Sequence, residues 1–333
     1  MENETARGLW FVEPRRVEIR NVMLREAGAD DVVVRTVFSG ISPGTEMLVY
    51  RGEVDEELLL DETLPALSGR FAYPFPYGYS CVGRVERSGR ELAEDAAVFA
   101  FHPHQDRFVV NAAQAIPVEG VDLRAATLFP LVETALQVTL DADPAPRTVV
   151  VLLGLGVVGL LSALLLQRSG SRVLASDPLP DRRELASSLG VEALAPDELD
   201  AATAHATAGA GVPLIVEVSG NPAALTSGLR LLAHEGTALV VSWYGTKLVS
   251  LPLGAEFHRR RLTIRSSQVS TIPAHLAGEW TFERRRRAAQ DLLHELPLEA
   301  LATHSFPFQE ASHAFEQVDS PPPGLLHAAL CYE

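Results

Sequence analysis

Three glycines in the run Gly154-Leu155-Gly156-Val157-Val158-Gly159 stand where a strand must turn sharply, a backbone must approach a ligand and a helix must pack closely on a strand. Such spacing recurs by chance in many chains, so its context decides. The apolar run Val149–Leu153 precedes it and the apolar segment Val157–Leu166 follows it, the strand-then-helix setting of a dinucleotide pyrophosphate site. Unpaired N–H groups and the positive end of the helix dipole would face the phosphates, with Gly154, Gly156, Val157, Val158 and Gly159 as the cradle. Asp177 lies 18 positions past Gly159, where a carboxylate meets the adenosine ribose hydroxyls and repels a ribose phosphate. That favours NAD, while Arg182 and Arg183 stand near enough to accommodate the phosphate of NADP. Ser219-Gly220, Trp243-Tyr244-Gly245 and Ser266-Ser267-Gln268 fall at the carboxyl ends of later strands. There they either line the cofactor or serve as ordinary turns.

The remaining reactive residues narrow the chemistry. His102 and His104, in Phe101-His102-Pro103-His104-Gln105-Asp106, offer imidazoles that titrate near neutral pH, but a His-x-His pair alone leaves a metal under-coordinated. Lys247 is the single lysine, which leaves Schiff-base and phosphate-loop lysine mechanisms almost nowhere to act. Cys81 and Cys331 form neither a disulfide framework nor a thiolate zinc cluster. A formal charge of −15 disfavours nucleic acid and anionic lipid partners. Arg284-Arg285-Arg286-Arg287 could clamp a phosphate. Its neighbours Glu283, Asp291 and Glu295 make a solvated helix face the expectation. The start Met1-Glu2-Asn3-Glu4 is neither a secretory signal nor a transit peptide, so a cytoplasmic location is expected. Glycines interrupt the apolar stretch Val149–Leu166, which reads as a buried strand entering a buried helix, not as a membrane span.

These groups need elements to hold them. A length of 333 residues predicts two domains. The first ~125 residues read as short strands divided by Gly, Pro and Asp turns. Candidates are Leu9–Val12, Arg16–Arg20, Asp31–Ser39, Cys81–Ser88, Ala97–Phe101 and Asp106–Asn111, with a Glu- and Leu-rich excursion over Met47–Gly69. From Val149 continuous apolar strands alternate with longer segments, the signature of parallel βαβ units. Strands are predicted at Thr148–Leu153, Ser171–Ser176, Leu214–Val218, Thr237–Val241 and Leu262–Ser266. Helices are predicted at Val157–Arg168, Asp181–Leu189, Pro222–Leu232, Leu253–Arg260, Phe282–His294 and Gln309–Val318. A closing strand, Leu325–Cys331, needs a sheet to join, and the first domain is the natural one.

An all-β first domain, a central dinucleotide domain and a return to the first resemble the medium-chain dehydrogenase/reductase superfamily over nearly the whole chain. The most specific pieces are Ser39-Gly40-Ile41-Ser42-Pro43-Gly44-Thr45-Glu46, Tyr77 to Val85, Gly154 to Gly159 and Thr303-His304-Ser305-Phe306-Pro307-Phe308. The wording is closest to the threonine, sorbitol and bacteriochlorophyllide dehydrogenase branch. The resemblance implies an α/β chain with a GroES-like β-barrel catalytic domain over 1–127 and 273–333, and a doubly wound parallel-sheet Rossmann domain over 128–272. Where zinc-dependent members carry Cys, a Gly-His-Glu triplet and Cys or Glu, this chain has Ser42, then Tyr79-Ser80 after Gly78, then Phe129. None of these replaces a zinc ligand, and the four-cysteine lobe is missing, so no catalytic zinc is expected.

Another group must then serve the proton that accompanies hydride transfer. Thr45 matches the relay hydroxyl of the zinc enzymes and Tyr79 stands at the zinc histidine. His102 and His104 supply imidazoles, and Glu46 and Glu133 are the nearest carboxylates. Each has a structural alternative, such as Thr45 capping a short helix, Tyr79 filling the core or Glu133 sitting in the first turn of a helix. The expectation is a zinc-independent NAD(P)-dependent oxidoreductase of an alcohol, polyol or ketone, with a small-molecule substrate and a homodimeric assembly through the region Leu248–Leu253. A reductase of activated C=C bonds and a non-catalytic dinucleotide-binding protein are the alternatives.

Overall fold

Period-2 alternation in the N-terminal third and continuous Val/Leu/Ile runs in the middle give two kinds of sheet in the computed structural model, which describes residues 4–61, 63–64, 66–88 and 92–332. Met1-Glu2-Asn3, three of the four residues behind the reading of the chain start, lie outside the described residues. The chain divides into two compact units, Met1–Pro130 with Gln290–Glu333, and Leu131–Ala289.

The first unit contains β1 (Thr5–Glu13), β2 (Arg16–Met23), β3 (Asp31–Ile41), β4 (Phe75–Pro76), β5 (Cys81–Ser88), β6 (Ala97–Ala100), β7 (Arg107–Asn111) and β8 (Ile116–Pro117). The second unit contains β9 (Val149–Leu153), β10 (Arg172–Ser176), β11 (Glu192–Leu194), β12 (Val212–Glu217), β13 (Leu232–Val240) and β14 (Thr263–Ser266). The chain then returns with β15 (His304–Pro307) and β16 (Ala328–Cys331).

In the first unit the mixed, GroES-like sheet runs β15-β16-β3-β5-β6-β8, with β7 also on β3, and a small sheet runs β2-β1-β4. The closing strand joins the first unit, Ala328 opposite Ile41 and Cys331 opposite Phe38 in antiparallel register. Phe11, Met47, Phe75 and Phe315 fill one core, with Phe11 and Phe315 edge to face at 5.3 Å. Val32, Val34, Val98 and Phe108 fill another. Burial of such a side chain contributes about 1.5–3 kcal/mol.

The second unit is an all-parallel six-stranded sheet in the order β11-β10-β9-β12-β13-β14. The order reverses beside β9, and a doubly wound sheet binds its ligand at that switch point. The helix Val157–Arg168 is apolar on nearly every side because it is packed on nearly every side.

Several expectations change. The helix expected over Leu253–Arg260 is one irregular turn, Leu253–Phe257, broken at Ala255. Pro252 and Gly254 deny it an N–H donor and conformational restraint. The helix expected over Pro222–Leu232 ends at Gly228, and β13 starts five residues earlier than its apolar run suggested, at Leu232. The short strand β11 and the helix Leu199–Ala206 carry too little periodicity to be seen in the sequence. The basic run is not wholly a solvated face either, since Arg285 is buried.

Candidate active site

The glycine turn is built as its chemistry requires. Gly154 adopts a left-handed φ of 105°, and a Cβ there would lie 2.7 Å from the Ser219 Cα, so only glycine fits between β9 and the chain after β12. A Cβ on Gly159 would stand 2.0 Å from the Gly154 carbonyl oxygen. A Cβ on Gly156 would meet nothing within 4 Å. Gly156 also begins the helix with no side-chain cap, which leaves the first-turn donors of Val157, Val158 and Gly159 for an anion. Two glycines are therefore required by the protein's own packing, while the third borders open space.

Around this turn the carboxylates are tied down. Asp177, 2% exposed, accepts from Leu155 N at 2.8 Å and Leu179 N at 2.9 Å, with Arg182 Nη1 3.5 Å away. Arg183 Nη1 donates to the Asp177 and Pro178 carbonyls. Asp177 thus both braces the glycine loop and caps the turn before the helix Pro180–Ser188. Glu217, at the end of β12, is fully buried and was missed in the sequence, although a lone Glu between Val216 and Val218 was the available signal. One of its oxygens accepts from Ser219 N at 2.7 Å and Ser219 Oγ at 2.6 Å, and the other from the Tyr244 hydroxyl at 2.6 Å. Burial, and then the hydrogen bond to Glu217, push the Tyr244 phenol far up. Gly220 N donates to Ser242 Oγ at 2.8 Å, and Trp243 beside it is 40% exposed. Ser267 Oγ instead donates to Asp141 at 2.6 Å.

In the first unit Thr45 opens the helix Thr45–Arg51, and the half-buried Tyr79 follows Gly78. Burial pushes the Tyr79 phenol up to about 12, with Glu46 raising it further and the nearby Ser42 and Thr45 side chains pulling it down. Tyr79 is therefore a proton holder at any physiological pH. His102 is not part of this group. Its Nδ1 lies 2.9 Å from the Pro103 carbonyl and its ring stacks on Phe108 at 4.2 Å.

Burial lowers His102 to about 4 and His327 to about 3. Both are neutral in the folded protein where the unfolded chain binds a proton, below about 6.5. Their contribution is fully present above pH ~6.5 and is lost as pH falls through 4 and then 3. The urea midpoint should therefore drop steadily between pH 7 and 4, and His102→Phe should flatten that slope. An unchanged slope in the variant would remove His102 from the account.

Residues 157–282 match the zinc-binding dehydrogenase family. The chain is 29% identical over 370 residues to the 5-exo-hydroxycamphor dehydrogenase of Pseudomonas putida, covering 94% of this chain and 95% of the relative. It is 26% identical over 285 residues to the D-guloside 3-dehydrogenase of Escherichia coli K12, covering 80% and 81%. A short chain alcohol dehydrogenase from Escherichia coli CFT073, solved with its cofactor NADH, superposes with a TM-score of 0.76 at 17% identity over 98% of this chain and 99% of that one. The chain is similar over most of its length to the zinc-type dehydrogenases of the medium-chain dehydrogenase/reductase superfamily.

The protein departs from the zinc-type branch it resembles at the positions of the metal ligands. Ser42 gives its N–H to Glu46 at 2.9 Å, and Ser80 gives its hydroxyl to the Thr127 carbonyl at 2.6 Å. Phe129 packs against Phe99 at 4.7 Å and Phe101 at 6.0 Å. Among the described residues no three His, Cys, Asp or Glu side chains come together to hold a metal ion. The donor set at these positions does not fit zinc. Glu133 is buried, and its Oε1 lies 3.1 Å from the Nε of Arg285, whose Nη1 donates to Gln137 at 2.5 Å. This ion pair gives Glu133 a structural partner in the second unit and accounts for the buried member of the arginine run.

Proposed function

We propose that this medium-chain dehydrogenase/reductase transfers hydride between a nicotinamide dinucleotide and an alcohol, polyol or ketone, with hydroxyl groups in place of zinc. The observation that carries the reading is the Gly156 cradle, open on its Cβ side and facing an uncapped helix start. Gly154, Gly156, Val157, Val158 and Gly159 would hold the pyrophosphate, Asp177 the ribose, and Ser219, Gly220, Trp243 and Tyr244 the wall beyond β12. Ser267, tied to Asp141, supports that wall from β14. When bound, the cofactor supplies hydride to a carbonyl carbon or takes it from a carbinol.

Tyr79 would supply the proton. In the direction of reduction its O–H bond breaks, the proton passes to the substrate oxygen, and the phenolate left behind is reprotonated from solvent. Ser42 and Thr45, which pull the phenol pKa down, would stabilise that phenolate. His102 would not exchange protons near neutral pH, because burial holds it at about 4.

NAD preference is supported by the carboxylate at the end of β10, against which Arg182 and Arg183 are the competing feature. A homodimer is supported by Leu248, 94% exposed, and Leu253, 50% exposed, close in sequence to the edge strand β14. Static light scattering reads that assembly directly. A cytoplasmic location is supported by two unpaired thiols. No helix among the described residues is long and apolar enough to cross a membrane.

The test is calorimetric titration of the purified protein with NADH and NADPH, followed by turnover on cyclic ketones, ketosides and their alcohols, with metal analysis of the same sample. Binding of NADH about tenfold tighter than NADPH, ketone turnover and less than stoichiometric zinc are expected. Absence of binding to either nucleotide would sink the reading. Turnover of enones alone would reassign it to C=C reduction, and binding without any turnover to a non-catalytic role.

A further inference from the structure

Glu46 and His104 form a fully buried pair, Oε2 to Nε2 2.8 Å, that neither holds cofactor nor touches the chemistry above. Keeping an acid and an imidazole away from water is costly unless every lone pair and proton is satisfied. Here they are satisfied in a chain. The Ser42 N–H donates to Glu46 Oε1 at 2.9 Å, and the second carboxylate oxygen takes the His104 Nε2–H. His104 Nδ1 lies 2.7 Å from Ser39 Oγ, which lies 2.8 Å from the Tyr332 hydroxyl. A carboxylate only accepts, so the acceptor end is Glu46 and the donors order themselves from Tyr332 through Ser39 and His104 toward it. Four residues from three parts of the chain thereby orient one carboxylate.

What that carboxylate grips is the turn Ser42-Pro43-Gly44-Thr45, whose two hydroxyl side chains pull the Tyr79 phenol pKa down. The same imidazole seats the third member. Gly78 has φ 109°, and a Cβ there would lie 2.6 Å from His104 Cδ2, so the ring packs flush on the backbone immediately before Tyr79. The charged and titratable groups around Tyr79 are Glu46, Asp61 and Tyr77, with His104 behind Gly78. Glu46 is the one whose position the network fixes.

We propose that Glu46 and His104 are positioning residues of the hydroxyl cluster Ser42–Thr45–Tyr79, a fixed protein framework that does the orienting work where a metal would otherwise do it. The inference rests on the reading of Tyr79 as proton donor. It assigns to a buried carboxylate–imidazole pair control over the geometry and proton affinity of a phenol neither group touches through its own hydrogen bonds. Such indirect supports commonly cost an order of magnitude in rate when removed.

Three variants separate the contributions. Glu46→Gln keeps an acceptor for Ser42 N–H and removes the charge. His104→Leu removes the donor, and His104→Gln restores an N–H at the position of Nε2. Tyr79 is followed in cofactor-free, fluorotyrosine-labelled protein by fluorine NMR, assigned with Tyr79→Phe, because fluorination brings the phenol titration into a milder pH range. Glu46→Gln should lower the Tyr79 titration by about one pH unit. His104→Leu should lower kcat for ketone reduction about tenfold with KM changed less than about twofold, and His104→Gln should recover to within about threefold of the parent. Should His104→Leu fail to fold, the Glu46→Gln titration and His104→Gln kinetics decide. An unmoved Tyr79 titration together with full kcat in the His104 variants overturns the proposal. Full activity in Tyr79→Phe would instead remove the donor reading, and the titration would still judge whether the pair controls the phenol.

Discussion

Arg285→Met should destabilise the protein by about 3–5 kcal/mol, the cost of leaving a carboxylate buried without its counter-ion. Glu133 and Arg285 are both buried, their charged atoms 3.1 Å apart, and Arg285 also satisfies Gln137. Removing the guanidinium therefore strands two acceptors at once. A urea titration should show a lower midpoint with an unchanged slope, since the surface exposed on unfolding stays the same. The double variant Glu133→Leu with Arg285→Met should regain most of the loss, because an apolar pair of similar volume replaces a buried ion pair at little cost. A loss under about 1 kcal/mol in the single variant would show that water reaches the pair. An inactive but fully stable Glu133→Gln protein would return Glu133 to the catalytic candidates.

The glycine turn should answer two substitutions in opposite ways. Gly159→Ala places a methyl 2.0 Å from the Gly154 carbonyl oxygen and 3.0 Å from Val218, both part of the packed turn. Overpacking of that kind should cost about 3 kcal/mol or more, read as a lowered denaturation midpoint. Gly156→Val meets no protein atom at its Cβ and should leave stability within about 0.5 kcal/mol of the parent. Its branched side chain would instead occupy the pyrophosphate position. Affinity for NADH or NADPH should fall about a hundredfold, equivalent to about 2.7 kcal/mol. Undiminished nucleotide affinity in a folded Gly156→Val protein would place the cofactor elsewhere and undo the functional reading.

What could be read from the sequence was whatever is encoded locally. The Rossmann strands and the helix Val157–Arg168 were legible because fully buried elements leave uninterrupted apolar runs, and the return of the last strand because an isolated strand has no stable state. The departure from the zinc-ligand pattern was legible at Ser42, Tyr79 and Phe129, since ligand chemistry resides in residue type. Partnerships across the chain were not. Nothing near Glu46 announces that a histidine 58 positions later will meet it. Nothing near Glu133 announces Arg285, 152 positions on. Glu217 went unremarked because a single carboxylate does not break an apolar run, and Asp177 was read for a ligand when it also serves the backbone of the loop.

The seating of β16 against β3 bears on biosynthesis. The parallel-sheet unit occupies one continuous stretch, Leu131–Ala289, and can form once it has left the ribosome, whereas the mixed sheet awaits a strand about 290 residues downstream of β3. Until then β3 offers a bare edge of Ile41, Gly40, Ser39 and Phe38 to any passing strand. Nascent chains cut short before Ala328 would carry a formed nucleotide module beside an open, sticky sheet, a species for chaperones and proteases to intercept.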